Sequence, residues 1–193
     1  MEHFYQNIGE NWFNFQDIYQ LAVTKFDNAK FIEIGSWKGR SATFMAVEIL
    51  NSNKKIDFYC VDTWQGSEEH AQDEIIKQNS LYEEFLRNIE PVKDIIRPVR
   101  DTSLSASESF PNNYFDFIFI DAAHDYENVK ADIQAWFPKL KKGGIIAGHD
   151  YHPSWQGVVK AVDEWSLLGN KRIFVSNTSW IYFNTEDMSK FLS

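Results

Sequence analysis

The chain has 193 residues, 44 % of them hydrophobic, with seven tryptophans and sixteen phenylalanines, enough apolar material for one packed domain and too much for intrinsic disorder. Its formal net charge is −9; nucleic-acid binders rely on a basic face for phosphate contacts, and no Lys/Arg run here supplies one, so the expected partner is a small molecule and no nucleic acid. No stretch approaches the ~20 apolar residues of a membrane span, and Met1-Glu2-His3-Phe4 lacks the basic-then-apolar pattern of a signal peptide, so the expectation is a cytoplasmic protein with no membrane partner. The single cysteine, Cys60, cannot form an internal disulfide and sits in an apolar run, which makes it a core residue.

In chain order, Ile18, Leu21 and Ala22 share one face of a predicted N-terminal helix. An apolar run at residues 30–34 follows, then a second helical face of Ala42, Met45, Ala46 and Ile49. Runs at 56–61, 95–99, 115–120 and 144–147 read as further strands. Phe115-Asp116-Phe117-Ile118-Phe119-Ile120 is almost wholly apolar, as expected for a strand covered on both faces. Between these runs, Ile75, Tyr82, Phe85, Leu86 and Ile89 form one helical stripe, and a short helix begins near Leu104. Val129, Ile133, Trp136, Phe137 and Leu140 form another stripe, and Val158, Val162 and Trp165 the last. Strands alternating with helices predict a parallel sheet with right-handed crossovers. The end of the chain breaks the rhythm. Runs 172–175 and 180–183 are joined only by Ser176-Asn177-Thr178-Ser179, too short for a parallel crossover, so this pair is antiparallel.

Ligands of such sheets sit beyond the carboxyl ends of the strands. The first strand ends in Phe31-Ile32-Glu33-Ile34-Gly35-Ser36-Trp37-Lys38-Gly39-Arg40-Ser41. An isolated G-x-x-x-G is equally an ordinary strand-to-helix turn, but two glycines also let backbone approach a ligand closely. A dinucleotide loop needs a glycine where Trp37 stands, because backbone must meet the pyrophosphate there. Glu33 would repel a phosphate and suits a cation. S-adenosylmethionine carries an ammonium and a sulfonium, so the acidic glycine turn favours it over a nicotinamide dinucleotide. Asp62, directly after the second strand, is placed to accept ribose hydroxyls of either ligand. Asp101 either accepts an adenine amino group or caps the helix that follows.

The fourth strand delivers Asp121-Ala122-Ala123-His124-Asp125-Tyr126, and the fifth Gly148-His149-Asp150-Tyr151-His152. Three of the five histidines and three acids thus gather on two strand ends that open onto one cleft. The aromatics Tyr5, Trp12, Phe13 and Phe15 either cover that cleft or pack into the core, and the stretch from Thr63 to Ser67 borders it.

The segments at residues 31–41, Asp62, 115–126 and 140–151 resemble the class I S-adenosylmethionine-dependent methyltransferases, and within them the small-molecule O-methyltransferases related to the macrocin and catechol enzymes. The resemblance covers about residues 31–165. It implies an α/β, Rossmann-like fold: a seven-stranded, mainly parallel sheet with an antiparallel C-terminal strand and helices on both faces. It implies one domain over 1–193, with residues 1–29 as an N-terminal helical or lid segment and 30–184 as the core. Cofactor contacts are implied at Glu33, Gly35, Ser36, Trp37, Gly39, Ser41, Asp62, Asp101 and Asp121. Many relatives hold Mg²⁺ through an acid after the fourth strand and an acid pair after the fifth; here the ligands map to Asp121, His149 and Asp150, and a histidine among them turns the site away from magnesium toward a softer divalent ion, or none.

Methyl transfer to a hydroxyl requires that the acceptor lose its proton. His124 or His149 is the candidate base, with Asp121 beside them; alternatively a cation held by Asp121 and Asp150 lowers the hydroxyl pKa. The rival readings are a non-catalytic S-adenosylmethionine-binding module and an NAD-linked oxidoreductase. A homodimer is an open alternative to the monomer.

Overall fold

The computed structural model describes residues 1–67 and 70–186, so residues 187–193 of the expected domain lie outside the described residues. The strands are β1 (Ala29–Ile34), β2 (Ile56–Asp62), β3 (Ile96–Arg100), β4 (Phe115–Ile120), β5 (Leu140–Gly148), β6 (Phe174–Ser176) and β7 (Ser179–Phe183). They form one sheet in the order β3-β2-β1-β4-β5-β7-β6. Pairs β1–β2, β1–β4, β2–β3 and β4–β5 are parallel, while β7 runs antiparallel to both β5 and β6. The antiparallel C-terminal pair expected from its short link is therefore present, and β7 lies inside the sheet between β5 and β6.

The helices are α1 (Gln16–Lys25), α2 (Arg40–Ser52), α3 (Glu74–Lys77), α4 (Leu81–Ile89), α5 (Ser103–Glu108), α6 (Tyr126–Trp136) and α7 (Gln156–Leu168). Alternation along the central strands sends Phe31, Phe117 and Phe119 to one face and Ile32, Ile34, Ile118 and Ile120 to the other. The first set packs with α1, α2 and α4; the second packs with α6 and α7. Both faces are covered, so these strands read as apolar runs. α2 has seven buried residues in its 13, and Cys60 is fully buried, as its setting implied.

Two stripes depart from expectation. The predicted stripe from Ile75 to Ile89 is broken into α3 and α4, with Asn79 in the left-handed region (φ +51°) between them, and Leu86 faces outward at 39 % exposure. Asparagine tolerates that region where other side chains are strained. The stripe that ended at Leu140 stops as a helix at Trp136. Leu140 begins β5, because Pro138 cannot continue the hydrogen-bonded helix. No helix among the described residues is long and apolar enough to cross a membrane.

Candidate active site

A cavity of about 780 Å³ opens over the carboxyl ends of the strands where their order reverses between β1 and β4. That is the expected ligand position in an open α/β sheet, and the volume lies within the ~300–1,000 Å³ of small-molecule sites. Backbone pairing continues past the strand ends: Asp121 N donates to Ile34 O (2.7 Å), Gly35 N to Val61 O (2.8 Å) and His149 N to Ile120 O (3.1 Å). The three loops therefore leave the sheet at one level. Gly35 makes this possible. Its φ is +88°, and a Cβ there would lie 1.9 Å from the Asp121 carbonyl oxygen, so only glycine lets β1 and β4 close so tightly.

The glycine loop is tied down by Asp62. Its Oδ2 accepts from the backbone N–H of Ser36 and of Trp37, both at 2.9 Å, and its Oδ1 accepts from Trp64 N at 2.7 Å. The amides that would cradle a pyrophosphate are thus capped by the chain's own carboxylate, which disfavours a dinucleotide. The cavity lining includes Glu10, Asp62, Asp101, Asp121 and Asp150, against the basic residues Lys38, Arg40 and His149, the last with its charged form favoured. Lys38 is paired with Glu10 (2.7 Å), and Arg40 donates to Ile8 O and Asn11 Oδ1. This excess of carboxylates over a glycine cradle fits a cationic sulfonium.

Gly35, Ser36, Trp37, Ser41, Asp62, Asp101 and Asp121 all line the cavity. Asp101 does not cap α5, since Thr102 does so by accepting from Ser105 N; the adenine side of that alternative is left standing. Two expected contacts lie elsewhere. Gly39 precedes α2 and faces Phe85 and Ile89 of α4. Glu33 is 1 % exposed and turned away from the cavity: Tyr19 Oη donates to its Oε2 (2.5 Å) and Ser36 Oγ to its Oε1 (2.6 Å). Alternation along β1 explains this, because Glu33 shares a face with Phe31, under α1.

Burial pushes the Glu33 carboxyl up from 4.5 to about 7, despite hydrogen bonds from Ser36, Tyr19 and Ser41. Between those values the folded chain holds a proton that the unfolded chain releases. Stability is therefore expected to fall as pH rises from about 4.5 to 7, by on the order of 3 kcal/mol, and this contribution stays constant above that window. Urea unfolding at about pH 5 and about pH 8 should show a smaller pH difference in Glu33→Gln than in the wild type; equal differences would refute the assignment.

Opposite the glycine loop stand the β4 and β5 loops. His124 Nε2 lies 2.9 Å from Asp150 Oδ2, and the His124 ring packs on Trp155 at 4.1 Å between centroids. Gly157 lets α7 start close by, since a Cβ there would lie 2.4 Å from His124 O. His149 is set deeper. Its Nδ1 faces Asp150 Oδ2 (3.3 Å) and Asp121 Oδ1 (3.5 Å), and its Nε2 faces Asn14 Oδ1 and Thr178 Oγ1, both at 3.0 Å. Burial opposes its charge, but the carboxylates of Asp121 and Asp150 outweigh burial and push its pKa up to about 10. Burial likewise acts against ionised Asp150, yet His124 and His149 hold it well below the usual carboxylate range. A histidine whose charged form is favoured this way is held as a cation between the two carboxylates, a poorer proton acceptor than a neutral imidazole.

Of the expected metal ligands, Asp121 and Asp150 group with His124, their ligand atoms lying within 4.8 Å of one another, and His149 Nδ1 lies beside the same two carboxylates. Asp125 caps α6 by accepting from Asn128 N. Residues that the sequence did not single out also line the cavity: Glu10, Asn14, His70, Trp155 and Thr178. Of the N-terminal aromatics, Phe13 and Phe15 are buried, whereas Trp12 is 55 % exposed and stacks toward Trp37; the segment is both core anchor and cavity wall. Among the described residues, nine non-glycine residues have positive φ, and six are asparagines. The other three, Trp37, Trp64 and Asp150, cluster on the loops around this cavity, where strained backbone commonly marks function.

A sheet of this order, reversed only at β7, is that of the class I S-adenosylmethionine-dependent methyltransferases. Residues 32–151, more than half of the chain, match the family described as "Methyltransferase domain", and the chain belongs to that family. A protein of Acanthamoeba polyphaga mimivirus, R132, is 30 % identical over 133 residues, covering 65 % of this chain and 52 % of its own length. The y4gI protein of Sinorhizobium fredii is 26 % identical over 121 residues, covering 63 % of this chain and 13 % of its own. The chain thus matches about half or less of each of these relatives. Among solved structures, the O-methyltransferase NovP aligns with TM-score 0.68 at 19 % identity, over 89 % of this chain and 79 % of that one. CalS11, a TDP-rhamnose 3′-O-methyltransferase, aligns with TM-score 0.61 at 18 % identity, over 87 % and 76 %.

Proposed function

We propose that this chain transfers the methyl group of S-adenosylmethionine to a hydroxyl oxygen of a small molecule such as a sugar, polyketide or phenol. The observation that carries the reading is the His124–Asp150 pair at 2.9 Å, braced by Trp155 on the cavity wall facing the glycine loop. When bound, the cofactor supplies an electrophilic methyl on a sulfonium, which the acceptor oxygen attacks in line as the sulfur–carbon bond breaks. Asp62 and Asp101 would hold its ribose and adenine, and Gly35, Ser36, Trp37 and Ser41 would form its cradle. His124 takes the acceptor hydroxyl's proton, its ring oriented by Asp150 at Nε2. His149, charged and bonded on both sides, holds Asp121 and Asp150 in place. The names of NovP and CalS11 support O-methylation, and the acid-rich lining supports the cofactor.

One observation favours a second reading of the same reaction. Asp121, His124 and Asp150 offer one nitrogen and two oxygen donors in a compact group, a set that suits a first-row transition ion better than Mg²⁺. These residues would hold such an ion, and it would lower the acceptor hydroxyl's pKa. Retention of turnover after exhaustive dialysis against EDTA supports the histidine base; loss restored by Mn²⁺ or Zn²⁺ supports the ion.

Calorimetry tests the cofactor assignment directly. The wild type is expected to bind S-adenosylhomocysteine and not NAD. Asp62→Ala should weaken that binding by roughly 10- to 150-fold, since a hydrogen bond to a charged group contributes about 1.5–3 kcal/mol. Binding of NAD alone would remove the methyltransferase reading.

A further inference from the structure

Residues 8–15 form neither helix nor strand, yet residues 9–15 make one wall of the cavity. Phe13 and Phe15, 6 % and 2 % exposed, anchor this strap at its α1 end. The other end is fastened to the glycine loop and the first turn of α2. Arg40 donates to Ile8 O (2.9 Å) and Asn11 Oδ1 (2.8 Å). Glu10 accepts from Lys38 Nζ (2.7 Å) through Oε1 and from Trp37 Nε1 (3.1 Å) through Oε2. The strap is therefore fixed to the loop that carries the cofactor motif.

Trp37 shows what this achieves. It sits at φ +46°, outside the region its bulk favours, and every polar atom it has is held. Asp62 accepts from its N–H, Trp64 Nε1 donates to its carbonyl, and Glu10 accepts from its indole N–H. Its ring packs with those of Trp12 and His70, at 6.4 and 4.3 Å between centroids, and those two lie 5.8 Å apart. Three separate segments (strap, glycine loop and the loop after β2) thus meet in one cluster of tilted rings at the cavity wall. Glu10 holds the Trp37 indole of this cluster, and its carboxylate is the counter-ion of Lys38, whose side chain is only 15 % exposed.

We propose that Glu10 is a positioning residue for the cofactor: it fixes Trp37 and neutralises Lys38, so that strap and glycine loop form two walls of one S-adenosylmethionine site. The inference rests on the cofactor reading above. Without Glu10, the Trp37 indole loses its polar anchor and an unpaired ammonium faces a cavity that must accept a sulfonium. Coupling is reciprocal, so a bound cofactor also orders the strap.

The test is titration calorimetry with S-adenosylmethionine and S-adenosylhomocysteine, and hydrogen exchange of peptides covering residues 8–15, on the wild type, Glu10→Ala, Glu10→Gln and Glu10→Ala/Lys38→Ala. Glu10→Ala should weaken S-adenosylmethionine binding about tenfold, within the usual range of coupling between sites. The loss should be smaller for the homocysteine product, which lacks the sulfonium charge. Glu10→Gln, keeping an oxygen for the Trp37 indole, should fall between. Removing Lys38 as well should recover part of the discrimination, and cofactor should slow exchange of the strap in the wild type but not in Glu10→Ala. Should Glu10→Ala fail to fold, Glu10→Gln and Lys38→Ala alone carry the comparison. Binding within twofold of wild type, equal losses for both ligands, or a strap whose exchange ignores the cofactor overturns the proposal. A wild type that binds neither ligand overturns the cofactor reading instead.

Discussion

His124→Ala is expected to lower kcat by about 10²- to 10⁴-fold, the usual contribution of a positioned general base, while leaving S-adenosylhomocysteine affinity within twofold. The barrier increase is about 3–5.5 kcal/mol. The geometry behind this is specific. Asp150, with φ +58°, is fixed by β5 and turned so that Oδ2 meets both His124 Nε2 at 2.9 Å and His149 Nδ1 at 3.3 Å. Two histidines on one carboxylate keep it ionised, and an ionised Asp150 aligns the His124 ring. Because His124 stands on the loop after β4 and not on the glycine loop, its loss is expected to remove proton transfer and not cofactor binding. Equal losses in kcat and in S-adenosylhomocysteine affinity would show that His124 supports the pocket and does no proton chemistry. His149→Ala should behave differently. It frees Asp121 and Asp150 from their shared cation and unties Asn14 and Thr178, so both stability and turnover should fall.

The second large effect is structural. Gly35→Ala is expected to cost roughly 3–5 kcal/mol, at the high end for single substitutions, and to lower Tm by roughly 6–20 °C for a chain of this size. An alanine at φ +88° is strained by itself, at about 1–2 kcal/mol. The larger part comes from its Cβ, which would lie 1.9 Å from Asp121 O and 2.6 Å from Asp121 C. Those atoms are backbone and cannot rotate away. The β1 and β4 loops must separate, which breaks the Asp121 N–Ile34 O bond at 2.7 Å and displaces Asp121 itself. Thermal unfolding followed by circular dichroism measures it directly. A melting point within about 2 °C of wild type, less than 1 kcal/mol here, would mean that the loops tolerate the methyl group.

Much of this molecule was legible in the residues, for identifiable reasons. β1, β2, β4 and β5 are covered on both faces, so burial leaves an apolar run in each. The link of four residues between the last two runs left only an antiparallel pairing. Gly35, Asp62, Asp101, Asp121, His124, His149 and Asp150 were legible as residues of one cavity because a parallel sheet brings every strand's carboxyl end to one edge. Less legible was orientation. Glu33 and Ile34 are neighbours, and the pleat sends one under α1 and the other to the opposite face; the motif alone does not say which.

The amino-acid sequence by itself determined the strand–helix alternation, the edge of the sheet that would carry the ligand, and a glycine turn unsuited to a pyrophosphate. Tertiary structure alone decided how the two histidines differ: His124 packs on Trp155 with Asp150 at Nε2, while His149 is set deeper between Asp121 and Asp150 on one side and Asn14 and Thr178 on the other. Asn14 and Thr178 reach His149 from 135 and 29 positions away. It alone also made residues 9–15 a wall of the site. Contacts between segments so distant in the chain follow from how the sheet and helices pack, and no local pattern records them.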